Sequence, residues 1–421
     1  MRVYDWGATL LGALLDRDPT LSIDPEADRR AWRQSGAMAL TGRTDGPALP
    51  APRRLVPGVE WLARATDLAG HVDALALLAE RAACAGFVRA GHVSCSGGTW
   101  LVDAADGPLA LTLARPTDVA LLPALLGTDA LGANPWLAVA RVFPNRPAAH
   151  WVELGALIGL AIAGLGEVGR PTVEQPAVQA RIVGPCPDGR LLDEPVRVLD
   201  LSSLWAGPLC AHVLQFHGAQ VRKAESAERP DGARMGPALF FDLLHAGQES
   251  VPLDLRSAVG RAALAALVAK SDIVIEASRP RALEQAGFDV DQLIRSGRTQ
   301  AWIAITGYGQ NGPGRNRSAF GDDAAVAGGL VAHDLCGPVF LADAIADPLT
   351  GLTAAAAALA ALRSNHQWYV DISMARVAAA FADTTESTAS DVIDDADVAP
   401  ALPRHRSWRG SAPALANVVS Q

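Results

Sequence analysis

The sequence predicts an α/β protein: a doubly wound, mostly parallel sheet with a smaller α+β domain placed N-terminal to it. Three observations predict this. Between residues 191 and 385, short apolar runs of strand length alternate with helical stretches, the pattern of consecutive βαβ units. Ahead of them, residues 58–185 mix helical patterns with one hairpin-like stretch. The two zones meet at GPCPDGRLLDEP (184–195), whose three prolines and two glycines make it the best domain boundary in the chain.

Seven strands are expected in the middle zone: VRVLDL (196–201), AQVRKAE (219–225), SVPLDL (250–255), DIVIEA (272–277), QAWIAITGYG (300–309), VFLADA (339–344) and WYVDISM (368–374). The helix after the first strand opens on Ala206-Gly207-Pro208, with proline where a first turn tolerates it. Ser257 is placed to cap the helix that follows the third strand, and further helices are expected over about 279–297, 322–332 and 349–363. In the smaller domain, residues 58–88 read as an amphipathic helical pair and 98–116 as a hairpin around Ala105-Asp106-Gly107-Pro108. Residues 116–127 and 146–164 read as helices. Residues 1–57 form an N-terminal helical segment, and 386–421 a polar tail rich in Pro and Ser, expected to be flexible.

Composition narrows the function. The chain has 421 residues, half of them hydrophobic and 19% charged, which excludes wholesale disorder. With 36 basic and 45 acidic residues its net charge is -9, so neither nucleic acid nor an anionic membrane is expected as the main partner. Lysine occurs only at positions 223 and 270, leaving arginine to supply the cationic contacts. Five scattered cysteines form no CxxC pair and the histidines no HxH or HxxxH pair, so no disulfide framework and no metal site is expected. The N-terminal apolar stretch meets Asp16 and Asp18 without a small-residue cleavage site, and 154–168 is too short to span a bilayer. A cytoplasmic location is expected.

There is no Walker loop, no GxSxG elbow and no GxGxxG after the first strand. Four segments remain as candidates. Leu204-Trp205-Ala206-Gly207-Pro208 follows the first strand, where small residues and free helix N–H groups can receive an anion; it reads equally as an ordinary strand–helix connection. Ile305 to Pro313 is glycine-dense and lies at the ligand edge of such a sheet, or is a plain surface loop. Asp347, before Pro348 and an alanine-rich helix, fits an N-cap; the same place suits a carboxylate nucleophile whose pKa the helix N-terminus lowers. Ser94-Cys95-Ser96-Gly97-Gly98-Thr99 could close over a site and offer backbone donors to an oxyanion, or merely lead into the hairpin.

Taken together, seven ordered blocks resemble the class III coenzyme A transferases, the CaiB/BaiF family. They are VLDLSSLWAGPLC (198–210), GAQVRKAE (218–225), SVPLDLRSAVGRAAL (250–264), SDIVIEASRPRALEQAGF (271–288), ITGYGQNGPGRNR (305–317), ADPLTGLTAAAAALAAL (346–362) and VDIS (370–373). Residues 106–127 and 145–169 are similar to the family's small domain, which normally follows the sheet domain. SGAMALTGRTDGP (35–47) is similar to a segment usually found just before the family's aspartate. The chain therefore resembles a rearranged member, with a remnant repeat and the small domain ahead of a Rossmann-like sheet and the usual C-terminal return segment missing from its familiar place.

The resemblance implies CoA transfer from an acyl-CoA thioester to a small carboxylic acid. An aspartate attacks the thioester, CoA leaves as thiolate, and a mixed anhydride gives way to an aspartyl-CoA thioester. It places that role on Asp347 and CoA contacts on Ser203, Leu204, Trp205, Ala206, Leu253, Arg256, Ala277, Ser278 and Ala282. It makes Ser96, Gly97 and Gly98 part of the loop that shields the anhydride. It also implies a homodimer, or a hetero-oligomer with a family member, and no metal. Family cations and an aromatic are replaced at Gly247-Gln248-Glu249, Glu276-Ala277-Ser278 and Ser364-Asn365-His366. Arg222, Lys223, Arg256, Arg279 and Arg281 would have to compensate. Those losses keep open a non-catalytic CoA-binding or scaffolding subunit, and an acyl-CoA isomerase or lyase. The family's racemase histidine falls at Phe320, which cannot move a proton.

Overall fold

The computed structural model describes residues 24–129, 131–186, 194–226, 228–278, 281–383 and 398–401, without the side chains of Arg281 and Ala282. The N-terminal 23 residues, most of the tail beyond 383 and the middle of the boundary stretch at 184–195 lie outside them. In chain order, the first half contains α1 (Pro25–Gln34), α2 (Leu55–Ala65), α3 (Glu80–Ala85), β1 (Thr99–Ala104), β2 (Gly107–Thr112), α4 (Pro116–Ala120), α5 (Leu122–Leu126), α6 (Pro135–Val142), α7 (Ala148–Ile158), β3 (Ala161–Gly164) and β4 (Val178–Pro185). The second half contains β5 (Arg197–Asp200), α8 (Ala206–Phe216), β6 (Gln220–Glu225), α9 (Ala238–His245), β7 (Glu249–Pro252), α10 (Ala258–Ala269), β8 (Ile273–Glu276), α11 (Arg281–Gln285), α12 (Val290–Arg295), β9 (Ala301–Thr306), α13 (Gly321–Ala327), β10 (Ala332–Asp334), β11 (Gly337–Val339), α14 (Ala346–Leu362), β12 (His366–Ser373) and α15 (Met374–Phe381).

A seven-stranded sheet of order β4-β12-β9-β8-β5-β6-β7 organises the molecule. Every neighbouring pair is parallel except β4, which joins β12 antiparallel at one edge. This is the doubly wound α/β sheet the alternation predicts, buried on both faces as parallel strands require. Val198, Ile273, Ile275, Ile303, Ile305, Val370 and Ile372 face α8 and α14 in one core. Their strand neighbours Leu199, Val274, Trp302 and Ala304 face α10 and α12 in another. The smaller sheet β1-β2-β3 is antiparallel, with its own core around Leu109, Leu111, Phe143 and Trp151.

Three local expectations change. VFLADA (339–344) is not a sixth sheet strand: β10 and β11 form a two-stranded hairpin, and residues 340–345 turn tightly, with Ala342 and Ala344 at positive φ (54° and 42°). The apolar run misled because buried turns and buried strands share composition. The helix expected over 146–164 ends at Gly159, in the left-handed conformation, and gives way to β3. The single helix expected over 279–297 is two, α11 and α12, the second capped by Asp289. Among the described residues no helix is long and apolar enough to cross a membrane.

Candidate functional site

In a parallel sheet the connections after each strand gather at the carboxyl edge, and helices that lead back into a parallel strand begin there. The segments 203–206, 253–256 and 277–282 follow β5, β7 and β8, members of the run β8-β5-β6-β7, so one edge collects the residues expected to meet CoA. Asp347 joins them because α14 leads into β12, parallel to β9, and so starts at that same edge.

Asp347 is not an N-cap. The helix starts at Ala346 with Ile345 as its cap and no capping side chain, which puts Asp347 inside the first turn with its N–H on Ala344 O at 2.8 Å. Its residue remains partly exposed, while Ala344, Ile345, Ala346 and Pro348 around it are buried. Two glycines make room for it. A methyl on Gly321 would strike Ala344 O and Asp347 Oδ2, and one on Gly351 would meet Ala206 O at 2.7 Å. The second contact seats the first turns of α14 directly on the loop that opens α8.

Strain accompanies this placement. Left-handed backbone at Ala342 and Ala344 costs about 1–3 kcal/mol per residue and persists only when neighbours over-determine it. Three contacts do so here. Ala342 N–H donates to Thr41 Oγ1 at 3.0 Å, Ala344 N–H donates to Asp322 Oδ1 at 3.0 Å, and Asp343 is gripped by both Nε (2.9 Å) and Nη2 of Arg81. Thr41 belongs to the stretch 35–47 and Arg81 to α3, so the N-terminal half of the chain holds the turn that presents Asp347.

A cluster of carboxyls results. Asp322, Asp323 and Asp343 are buried, and Asp347 lies beside them. Cys95 Sγ sits 3.2 Å from Asp343 Oδ1, bringing the Ser94–Gly98 loop over the cluster. Thr112 Oγ1 donates to Asp323 Oδ1 at 3.0 Å and lies 3.0 Å from Thr99 Oγ1, joining β1 and β2 to the start of α13. Burial pushes Asp347 up to about 7; Arg81 opposes the rise, and Asp322 and Asp343 add to it. Burial likewise raises Asp323 to about 8, and burial with Asp343 raises Asp322 to about 6. The expectation that a helix N-terminus holds Asp347 below the usual range is therefore reversed: desolvation and like charge outweigh the dipole.

The 203–206 loop has a different support. Leu204 is itself at positive φ (70°), and its N–H donates to Asp231 Oδ1 at 2.9 Å. Asp231 Oδ2 meets Lys223 Nζ at 2.9 Å, and the same ammonium donates to Ser202 O at 3.0 Å and lies 3.6 Å from Asp200. Lys223 is fully buried, so it props the loop from beneath and cannot serve as the phosphate cation the sequence offered it as. Ser203 and Leu204 are exposed above it; Trp205 and Ala206 are buried, with the Arg81 guanidinium 5.4 Å from the Trp205 ring.

The remaining residues are placed as follows. Leu253 is buried in the second core, its N–H on Glu225 O at 2.7 Å. Arg256 is exposed and paired with Glu228 and Asp254 (3.4 Å to the latter). Arg222 is likewise paired, with Glu249 at 2.6 Å. Ala277 is exposed; Ser278 is half-buried and donates to Glu276. Ala282 lies on α11, and Arg279 falls outside the described residues. A cavity of about 640 Å³ opens among Glu276, Leu283, Gln310, Arg315, Tyr369 and Asp371, and another of about 900 Å³ beside Arg256, Arg261, Gln285 and Phe288. Asp347 lines neither. The structure thus brings together Asp347, the 204–206 loop and the Ser94–Gly98 loop. It adds Arg81, Asp322, Asp323 and Asp343, for which no local motif gives a signal because they meet only through long-range packing.

Comparison with known proteins follows the same lines. The chain is 34% identical over 199 residues to a succinyl-CoA–D-citramalate CoA-transferase of Chloroflexus aurantiacus, covering 44% of this chain and 49% of that one. It is 32% identical over 192 residues to an (R)-2-hydroxy-4-methylpentanoate CoA-transferase of Clostridioides difficile, covering 42% and 48%. It spans about half the length of the curated relatives it matches. Among solved structures, a CaiB/BaiF family protein from Brucella suis is 28% identical with a TM-score of 0.41, over 44% of this chain and 53% of that one. The family model described as CoA-transferase family III matches residues 194–408, half of the sequence, and the chain belongs to that family.

Proposed function

We propose that this protein transfers CoA from an acyl-CoA thioester to a small carboxylic acid, with Asp347 as the nucleophile. A carboxylate oxygen of Asp347 attacks the thioester carbonyl carbon, the C–S bond breaks, and CoA departs as thiolate. The thiolate then attacks the anhydride at the aspartyl carbon, which releases the donor acid. The acceptor acid displaces CoA from Asp347 and takes it up by the reverse sequence. The observation that carries this reading is the convergence on Asp347 of a helix first turn, a strained turn and an arginine from the distant N-terminal half. Backbone strain held in place by neighbours, as at Ala342 and Ala344 beside this carboxyl, clusters at functional sites.

The exposed residues Ser203, Leu204, Arg256 and Ala277 along the same edge are the proposed CoA contacts, together with Trp205, Ala206, Leu253, Ser278 and Ala282, and Ser96 to Gly98 the proposed shield. Because Asp347 titrates at about 7, nucleophilic attack should rise with pH through that value. Two relatives are named as alpha and beta subunits of a succinyl-CoA–L-malate CoA-transferase, which supports assembly with a second family chain; a homodimer is the other assembly proposed. The test is peptide mass spectrometry after incubation with an acyl-CoA and hydroxylamine trapping. A modified Asp347 that vanishes in Asp347→Ala is expected. An unmodified Asp347 together with turnover would sink the assignment.

A further inference from the structure

Residues 398–401 lie against the N-terminal half of the chain. Ala399 N–H donates to Arg33 O at 2.9 Å, and Val398 and Ala401 pack on the main core. Gly36 receives them most closely. Its backbone is buried and left-handed (φ 81°), and a methyl there would come within 2.7 Å of Ala401 Cα and 3.1 Å of Pro400 O. Resting on the reading of Asp347 as nucleophile, we propose that 398–401 is a strap that sets how firmly the strained turn ahead of Asp347 is held, and hence how fast that carboxyl reacts.

From Gly36 to the turn the connections are short and buried. Ser35 Oγ donates to Trp32 O at 2.7 Å and accepts Ala37 N–H at 3.0 Å, and Gly36 lies between them against the strap. Ala37 O accepts the Thr41 hydroxyl at 3.0 Å, and Thr41 Oγ1 accepts Ala342 N–H at 3.0 Å. A hydroxyl has one proton, so the direction of the Ala37 carbonyl decides which way the Thr41 lone pairs face. The turn also has a second state available. Ala342 sits at φ 54°, and a residue with a Cβ returns to negative φ when its holds weaken. A docked strap favours the held turn and a displaced one the relaxed turn, and Asp347 follows directly in the first turn of α14.

The experiment is hydrogen exchange on the full chain, read by peptide mass spectrometry. Ala399→Pro deletes the N–H given to Arg33 O, and Ala401→Glu puts a charge at the apolar contact. Thr41→Val breaks the relay and leaves the strap's own contacts in place. Exchange over 341–347 should quicken about fivefold in each, the equivalent of one hydrogen bond of about 1 kcal/mol. Ala399→Pro combined with Thr41→Val should be no faster than Thr41→Val alone, because both act on the same bond. Unchanged exchange over 341–347 in both strap variants overturns the inference. Full additivity in the combination overturns it too, as does quickening that spreads equally to β5 and β9. Adduct formation at saturating acyl-CoA should slow in the strap variants while the half-saturating concentration holds; an unaltered rate overturns the link to reactivity. If the turn responds as expected but the unmutated protein forms no adduct at Asp347, the strap stands and the nucleophile is overturned.

Discussion

Two buried charge clusters lie under adjoining loops at the same edge of the sheet, and they are built in opposite ways. Around Lys223 one ammonium meets Asp231 at 2.9 Å and Asp200 at 3.6 Å, and Asp231 also accepts two backbone N–H groups. Burial works against both ions, but their attraction wins: Lys223 is raised and Asp231 lowered, so each keeps its charge. His245 nearby is pushed down to about 4 by burial and by Lys223, and stays neutral. Around Asp347, one guanidinium faces Asp322, Asp343 and Asp347, and the carboxyls of Asp322, Asp323 and Asp347 are held at about 6 to 8. Balanced charge makes a prop; unbalanced charge makes a group poised to gain or lose a proton near neutrality.

The largest expected effect comes from unbalancing the prop. Lys223→Met leaves two buried carboxylates unpaired and should cost about 3–5 kcal/mol of stability, measured by urea unfolding. A variant as stable as the parent would erase the contrast. Next, Arg81→Gln removes the cation that opposes the rise of Asp347. The pH midpoint of adduct formation should move up by about one unit, with partial recovery in Arg81→Lys. Hydrogen exchange over 341–347 should quicken in the Gln variant, since the strained turn loses one of its three holds.

A smaller effect concerns pH. Asp323 titrates near 3.8 when unfolded and at about 8 when folded, so the fold binds its proton over the interval between. Its contribution is fully present below about pH 4 and is lost as pH rises through about 8. Asp323→Asn should therefore flatten the decline of melting temperature between pH 5 and 8. It should leave the acid-side loss, set by the lowered Asp231 and Glu225, in place. Smallest of all, Thr112→Val deletes the hydroxyl between Thr99 and Asp323 and should cost about 1 kcal/mol. A melting curve unchanged by it would show that the two lobes do not depend on this bridge.

Much of the sheet was legible because parallel strands advertise themselves as short apolar runs: β5, β6, β8 and β9 each fall within an expected run, and β12 begins two residues ahead of its own. Asp347 was legible through its block of sequence, though not its place within the helix, since Asp-Pro reads as a cap whichever turn it occupies. What could not be read were relations at long range. Arg81 to Asp343 spans 262 positions and Thr112 to Asp323 spans 211, and no local pattern encodes either. Lys223 illustrates the opposite failure: a lysine within a strand looks like a ligand cation until two carboxylates are found to enclose it.

The edge strand β4 carries a final consequence. Val178–Pro185 comes from the chain ahead of the parallel strands, yet pairs along its length with β12, with one register shift between Gln367 and Trp368. A fragment beginning at 191 would expose the full length of β12, with Trp368, Val370 and Ile372 on an unpaired ladder. Such an edge invites strand addition from another molecule. Excision at the proline-rich boundary should therefore yield a self-associating fragment, with soluble behaviour restored by supplying 178–185 in trans.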